Sequence, residues 1–508
     1  MLSRKVCQAL TRGYGCITFT GSDVFQPIIS TINSFRCMNQ MKSLKSNVLF
    51  YILITSPVFF YIVSLMEPVG DDFTYFTASY SGSVWKGLLP MYSWWRPFDA
   101  LLGHTVYLYP GLFPLLNHLI VCSFHLLSTV LFFQIIRRLD FKPFEQNIAT
   151  LFFYLTPSIL GAIFDTDAVN QTGALFFDLL GFYIYAFARK GHVAGWLLLT
   201  FIATLFKENG ITWFVITPLL AWTFDLRKQE IRSGLCWGVM AAVAYGALRL
   251  SLPHAGAVND EYFDFSLRTE IKTLSKLITL VFVPTDNIFF IHDHQPLWSL
   301  LSFICSASLP VYLLIKSRTQ LFTRIPLMLF FLVFVALSAH LVTLFTVMHA
   351  YGIIPFTALL LAWGLSRVPV TRMTWIVLSL FLVSCLEIDA HHTIEKYKSG
   401  QRMLSLSHQA LKLLGPEPVD SVYSITIDGN YTKYSTFCSN ASDAFAWGNA
   451  VMSMTHHKWP RVWEDTAVNV APQCRVVDSI AQQAYKKEFH AVLVVTQNRV
   501  YKVPATVK

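Results

Sequence analysis

Charge is what this chain has least of. Of its 508 residues only 14% are Asp, Glu, Lys or Arg, while 54% are hydrophobic, with 42 Phe and 13 Trp. Soluble globular domains carry roughly a quarter charged residues, so that composition excludes a soluble enzyme and marks a membrane protein. The formal net charge of +9 comes without a basic patch, which argues against a nucleic-acid partner. Lysines and arginines instead punctuate apolar runs, where they set topology. None of the nine cysteines has the C-x-x-C spacing of a metal ribbon. Cys122, Cys236, Cys305 and Cys385 fall inside apolar runs, where a thiol is a small hydrophobe. No internal repeat is found.

What is present is a series of long uncharged segments. Residues 1–45 form a basic leader with the single acid Asp23, read as a cytoplasmic segment and as an over-long start, since Met41-Lys-Ser-Leu-Lys would open a membrane protein equally well. From there the spans run at about Asn47–Met66, Phe113–Ile136, Ile148–Phe164, Gly173–Phe187, Val193–Phe206, Ile211–Phe224, Ser233–Leu250 and Leu297–Ile315. Two more lie between Arg324 and Arg367, and a last one covers Met373 to about Ile388. Ile271–Pro284, interrupted by Lys272 and Lys276, reads as interfacial or re-entrant. The count is about 11. Lys42 and Lys45 precede the first span, and basic residues follow each inward-running one, so the N-terminus is expected in the cytoplasm and the C-terminus outside.

The expected fold is therefore mainly α. Residues 46–390 form a polytopic helical bundle with its first outer loop at 67–112, and residues 391–508 a small extracytoplasmic α/β domain. In that domain Asp420–Ile427 alternates like a strand, His490–Val503 reads as a hairpin turning at Gln497-Asn498, and Gln401–Leu414 and Ala444–Met454 look helical. Cys438 and Cys474 are the cysteines of this polar tail, and in an oxidising compartment they either bond to each other or remain buried thiols.

With this topology one surface collects Asp71, Asp72, Arg96, Asp165, Asp167, Lys207, Glu208, Asp293 and His349. A carboxylate there can take a proton from a hydroxyl, and a neighbouring cation can hold a departing phosphate. Lys207-Glu208 is the only charge between Lys190 and Asp225. The pair is expected at the interface, either functional or merely self-paired. Asp178, inside a span, is read as functional or as the partner of Arg249. His292-Asp293-His294 reads as a solvated loop or a metal clamp, and His118 and His125 as core histidines.

Asp71-Asp72 after the first span, Arg96-Pro97 before the second, Asn117-His118 and His125 within it, and Lys207-Glu208-Asn209-Gly210-Ile211-Thr212 together resemble the membrane glycosyltransferases of the type C superfamily. The likeness is to the transmembrane half of tetratricopeptide-containing protein O-mannosyltransferases and to bacterial polyprenyl-phosphate-sugar-dependent relatives, over about residues 45–365. It departs at Ala350-Tyr351-Gly352-Ile353-Ile354-Pro355, where the family has Arg-Tyr-x-x-x-Pro, and in lacking the repeats.

The resemblance implies transfer of a monosaccharide from a polyprenyl-phosphate donor to an acceptor hydroxyl of a glycan, lipid-linked saccharide or protein. Asp71 or Asp72 would be the base, Arg96 and Lys207 the phosphate ligands, and Glu208, Asp165, Asp167, His349 and Tyr351 their support. No cofactor is called for, and a metal ion stays open. The partners would be membrane lipid, the lipid-linked sugar and the acceptor, in a bacterial inner membrane or, in a eukaryote, the endoplasmic reticulum membrane. The alternative is a polytopic lipid or sugar transporter, in which Asp71, Asp72 and Asp178 would serve ion coupling or lipid passage.

Overall fold

The computed structural model describes residues 48–69, 72–73, 95–252, 280–284, 295–338, 347–415, 421–427, 462–466 and 475–505, with a few isolated positions between them. The N-terminal 47 residues, Asp71, Asp293, Cys438 and Cys474 lie outside the described residues, and so does most of Ala444–Met454.

Each expected span has a helix. The bundle consists of α1 (Val48–Ser64), α2 (Pro97–Leu108), α3 (Leu115–Arg138), α4 (Pro143–Leu155), the short α5 (Leu160–Ile163), α6 (Val169–Phe187), α7 (His192–Phe206), α8 (Trp213–Thr223), α9 (Ile231–Ser251), α10 (Pro296–Ser317), α11 (Arg324–Leu337) and α12 (Ile354–Ser366). The chain then enters α13 (Arg372–Leu414). Among the described residues six helical segments are long and apolar enough to cross a membrane, and α1, α7 and α11 are shorter apolar helices. The bundle core is aliphatic and aromatic, with Val121, Phe132, Phe153, Phe182, Trp196 and Phe214 buried. Arg137 and Arg138 close α3, where cations complement the helix C-terminus. The Arg138 guanidinium lies over the ring of Tyr183 at 4.7 Å.

Helix α13 differs from the sequence reading. The last crossing and the segment Gln401–Leu414 are one helix of 43 residues, so the boundary expected at 390/391 falls inside it. Thr371 starts it with a capping box, and Gly415, at φ 83°, ends it. Gly400 does not interrupt it. A Cβ there would sit 2.7 Å from Glu67 Cβ and 2.8 Å from the Glu67 carbonyl oxygen, so glycine is what lets the chain that follows α1 lie against the helix. Small residues also let α10 and α13 approach, with Ser306 Oγ and Ser384 Oγ 2.5 Å apart.

The C-terminal sheet has the order β2-β1-β3-β4, with β1 Val422–Ile427, β2 Val462–Thr466, β3 Ala491–Thr496 and β4 Val500–Val503. β1 runs parallel to β2 and β3, and β3 and β4 form the antiparallel hairpin. All six residues of β1 are buried because both faces are covered. Val422, Leu493 and Val495 pack on Met403, Leu406 and Ala410 of α13, together with Val69 from the first outer loop. Tyr423, Ile425 and Val494 pack on α14 (Arg475–Lys486) through Val477, Ala481 and Ala484. The parallel pairing and α14 are absent from the sequence reading. The sheet thus holds the C-terminal half of α13 and the loop beside it.

Candidate active site

Two groups of buried and partly buried charge meet at one end of the bundle. The first is built on Arg96, the residue before Pro97 at the start of α2, and on Glu208, which opens the 3-10 turn Glu208–Thr212 after α7. Arg96 donates from Nε to both Glu208 carboxylate oxygens at 3.1 Å and from Nη2 to Oε2 at 2.7 Å. A second guanidinium, Arg249 near the end of α9, reaches Glu208 Oε1 from Nη2 at 3.3 Å. One carboxylate therefore holds two guanidinium groups, Arg96 as a fork and Arg249 through one nitrogen. Burial alone would raise the Glu208 carboxyl, but the charge and hydrogen bonds of Arg96 outweigh it and hold the group below the usual range.

Lys207 joins this group. Burial first, and then the charge of Arg96, press its ammonium down to about 8, against the opposing pull of Glu208, Asp167 and Asp99. Asp99, on the first turn of α2, is 3% exposed. Its Oδ2 accepts from Asn170 Nδ2 at 3.4 Å, while its Oδ1 is buried without a hydrogen-bond partner. Burial pushes its carboxyl up to about 6, with Arg96 and Lys207 pulling the other way. The turn after Glu208 is tied in as well, for Asn209 Nδ2 donates to Gln171 Oε1 at 3.4 Å.

The second group forms around Asp72. Its Oδ2 accepts from the Val69 backbone N–H at 2.9 Å, and its Oδ1 from the Thr166 N–H at 2.5 Å and hydroxyl at 3.0 Å. Lys396 of α13, 1% exposed along its side chain, lies 3.5 Å from Asp72 Oδ2 and 2.5 Å from Asp165 Oδ1. This corrects the sequence reading of Asp72 as a surface carboxylate: it is 2% exposed and both oxygens are engaged. The short turn Thr166–Ala168 links the two groups, since Asp165 pairs with Lys396, Thr166 with Asp72, and Asp167 acts on Lys207.

The sequence-derived set therefore divides. Arg96, Lys207, Glu208 and Asp167 come together, and Asp72 with Asp165 forms the adjoining group. Tyr351 does not join either: it is 1% exposed and its hydroxyl bonds His125 Nδ1 at 2.9 Å inside the bundle, where His125 Nε2 meets the Tyr154 carbonyl oxygen at 3.2 Å. His349 is half-buried on the 3-10 segment Val347–Ile353. Asp178 is buried and does not pair with Arg249, which turns to Glu208. His292 Nε2 lies 2.9 Å from Glu387 Oε1, and no group of three His, Cys, Asp or Glu side chains suited to a metal occurs among the described residues.

Lys396, Asp99 and the Glu208 role of Arg249 were missed. Lys396 looks in sequence like one member of a solvated Glu395-Lys396-Lys398 face. The spacing of Lys396, Ser399, Gly400, Met403, Ser407 and Ala410, all small, apolar or buried, marks its true face.

Two guanidinium groups and an ammonium gathered around one glutamate can hold a phosphate, the guanidinium forks matching its oxygens in pairs. No protein-family model and no curated protein matches the sequence. Among solved structures, the chain is similar to the crystal structure of ArnT from Cupriavidus metallidurans bound to undecaprenyl phosphate, with a TM-score of 0.50 at 15% identity, over 88% of this chain and 92% of the ArnT chain. The chain thus shares the overall fold of ArnT.

Proposed function

We propose that the protein is an integral-membrane glycosyltransferase that moves a monosaccharide from a polyprenyl-phosphate donor to an acceptor hydroxyl on the extracytoplasmic face. The observation that carries this reading is the cluster of Arg96, Arg249 and Lys207 around Glu208, at one end of a fold shared with a protein whose structure holds undecaprenyl phosphate. In this reading eleven helices cross the membrane, and the site, like the C-terminus, lies outside.

The reaction is a displacement at the sugar C1. The acceptor oxygen forms the new bond to C1 and gives its proton to a carboxylate. The bond from C1 to the phosphate oxygen breaks, and the phosphate leaves with the electron pair. Arg96, Arg249 and Lys207 stabilise the negative charge that develops on that oxygen, and Glu208 fixes the two guanidinium groups in advance, so no reorganisation is needed at the transition state. Asp72 is committed to Lys396, Thr166 and Val69, which gives the proton-accepting role to Asp71.

Titration of the detergent-solubilised protein with undecaprenyl phosphate should show saturable binding. Arg96→Ala and Arg249→Ala should weaken it by about tenfold or more, the scale of a lost charge-assisted hydrogen bond. Asp71→Asn should leave binding intact and lower transfer by about 10² or more. Undiminished binding in both arginine variants would overturn the phosphate assignment.

A further inference from the structure

Lys396 stands 24 positions into α13, on the part of the helix that also carries the C-terminal sheet. Its ammonium is removed from water and divided between Asp72 and Asp165, at 3.5 and 2.5 Å. The same helix grips the first outer loop three more times. Gly400 admits the Glu67 backbone, Gln401 Nε2 donates to Glu67 Oε1 at 3.5 Å, and Met403 and Leu406 pack against Val69. Val69 and Asp72, which flank Gly70-Asp71 in the chain, are thus both pinned to α13 or to each other. Asp165 in turn begins the turn whose Asp167 acts on Lys207.

We infer that Lys396 is a positioning residue for the transfer reaction, fixing the lip formed by the Asp72 carboxylate and the phosphate cluster relative to each other through its shared contact with Asp72 and Asp165. This rests on the transferase reading above. Removing one member of a buried charge set leaves the others uncompensated, so geometry and charge at the lip change together. The titratable groups that face Lys396 are Asp72 from the loop, Asp165 from the turn, and His118 of α3, whose Nε2 lies 3.1 Å from the Met66 carbonyl oxygen. Loss of the cation favours protonation of the nearby carboxylates.

The test measures undecaprenyl phosphate binding and sugar release from a panel of undecaprenyl-phosphate-linked hexoses and pentoses, with water as acceptor. Lys396→Met should keep lipid binding within about threefold and lower kcat by about 10²-fold. The acid limb of its pH profile should move upward by about one unit, because a nearby cation lowers a carboxylate pKa by about that much or more. Lys396→Arg should recover most of the loss. Asp165→Asn should move the acid limb the other way, which keeps the inference testable if Lys396→Met does not fold. Unchanged kcat in Lys396→Met, equal loss of binding and kcat without rescue by Arg, or an unmoved acid limb in Asp165→Asn would overturn the role of Lys396. A wild-type protein that neither binds the lipid nor turns over any member of the panel would overturn the transferase reading instead.

Discussion

Lys207 shows how its surroundings convert an ordinary side chain into a titratable one. Its ammonium is desolvated and faces Arg96, so its pKa falls from 10.5 to about 8. A group that stabilises a departing phosphate must carry its proton, and Lys207 loses it as pH rises through that value. kcat/KM should therefore fall above about pH 8, with kcat falling at higher pH, because a bound phosphate favours the protonated lysine. Lys207→Arg should remove the alkaline limb; a profile of unchanged shape in that variant would detach Lys207 from the phosphate. Arg96, Lys207 and Glu208 were legible in the sequence because charge is scarce there and each stands at the end of an apolar run. Asp72 was legible as a candidate, but its burial was not. Its partners come from 94 and 324 positions away, and no local pattern records such a contact.

At the scale of elements, helix positions followed from uncharged length and from the basic residues that end them, and each expected span has its helix. What could not be read was continuity. Nothing in the polarity change near residue 390 says that the helix persists, because the polar part of α13 is stabilised by Glu67, Val69 and the sheet, all distant in the chain. Close contacts between helices make a related prediction. Gly238 of α9 lies against α8 so closely that a Cβ would fall 1.9 Å from the Phe214 carbonyl oxygen, and at Gly400 a Cβ would fall 2.7 Å from Glu67 Cβ. Gly238→Ala and Gly400→Ala should each destabilise the protein by about 1–3 kcal/mol, as overpacking does. Thermal unfolding in detergent reads this, with Gly246→Ala, where a Cβ meets nothing within 4 Å, as the control.

For the whole molecule, on the transferase reading the unbroken α13 should make membrane thickness a variable of the chemistry. Lys396 lies about 36 Å along the axis from Arg372 at 1.5 Å per residue, so a tilt change of 5° carries it sideways by about 3 Å. That exceeds the 2.5 Å of its ion pair with Asp165. A spanning helix adjusts to a thinner or thicker hydrocarbon layer largely by tilting. On the transferase reading, the helix is a lever whose short excursions in the bilayer reach Asp72 and Asp165 through Lys396. Reconstituted in phosphatidylcholines of graded chain length, the protein should show a sharp optimum in kcat while undecaprenyl phosphate affinity changes little. In Lys396→Met the optimum should flatten, since the lever no longer ends in a charge. A wild-type rate independent of chain length would mean that the bundle holds α13 at one angle, whatever the thickness of the lipid around it.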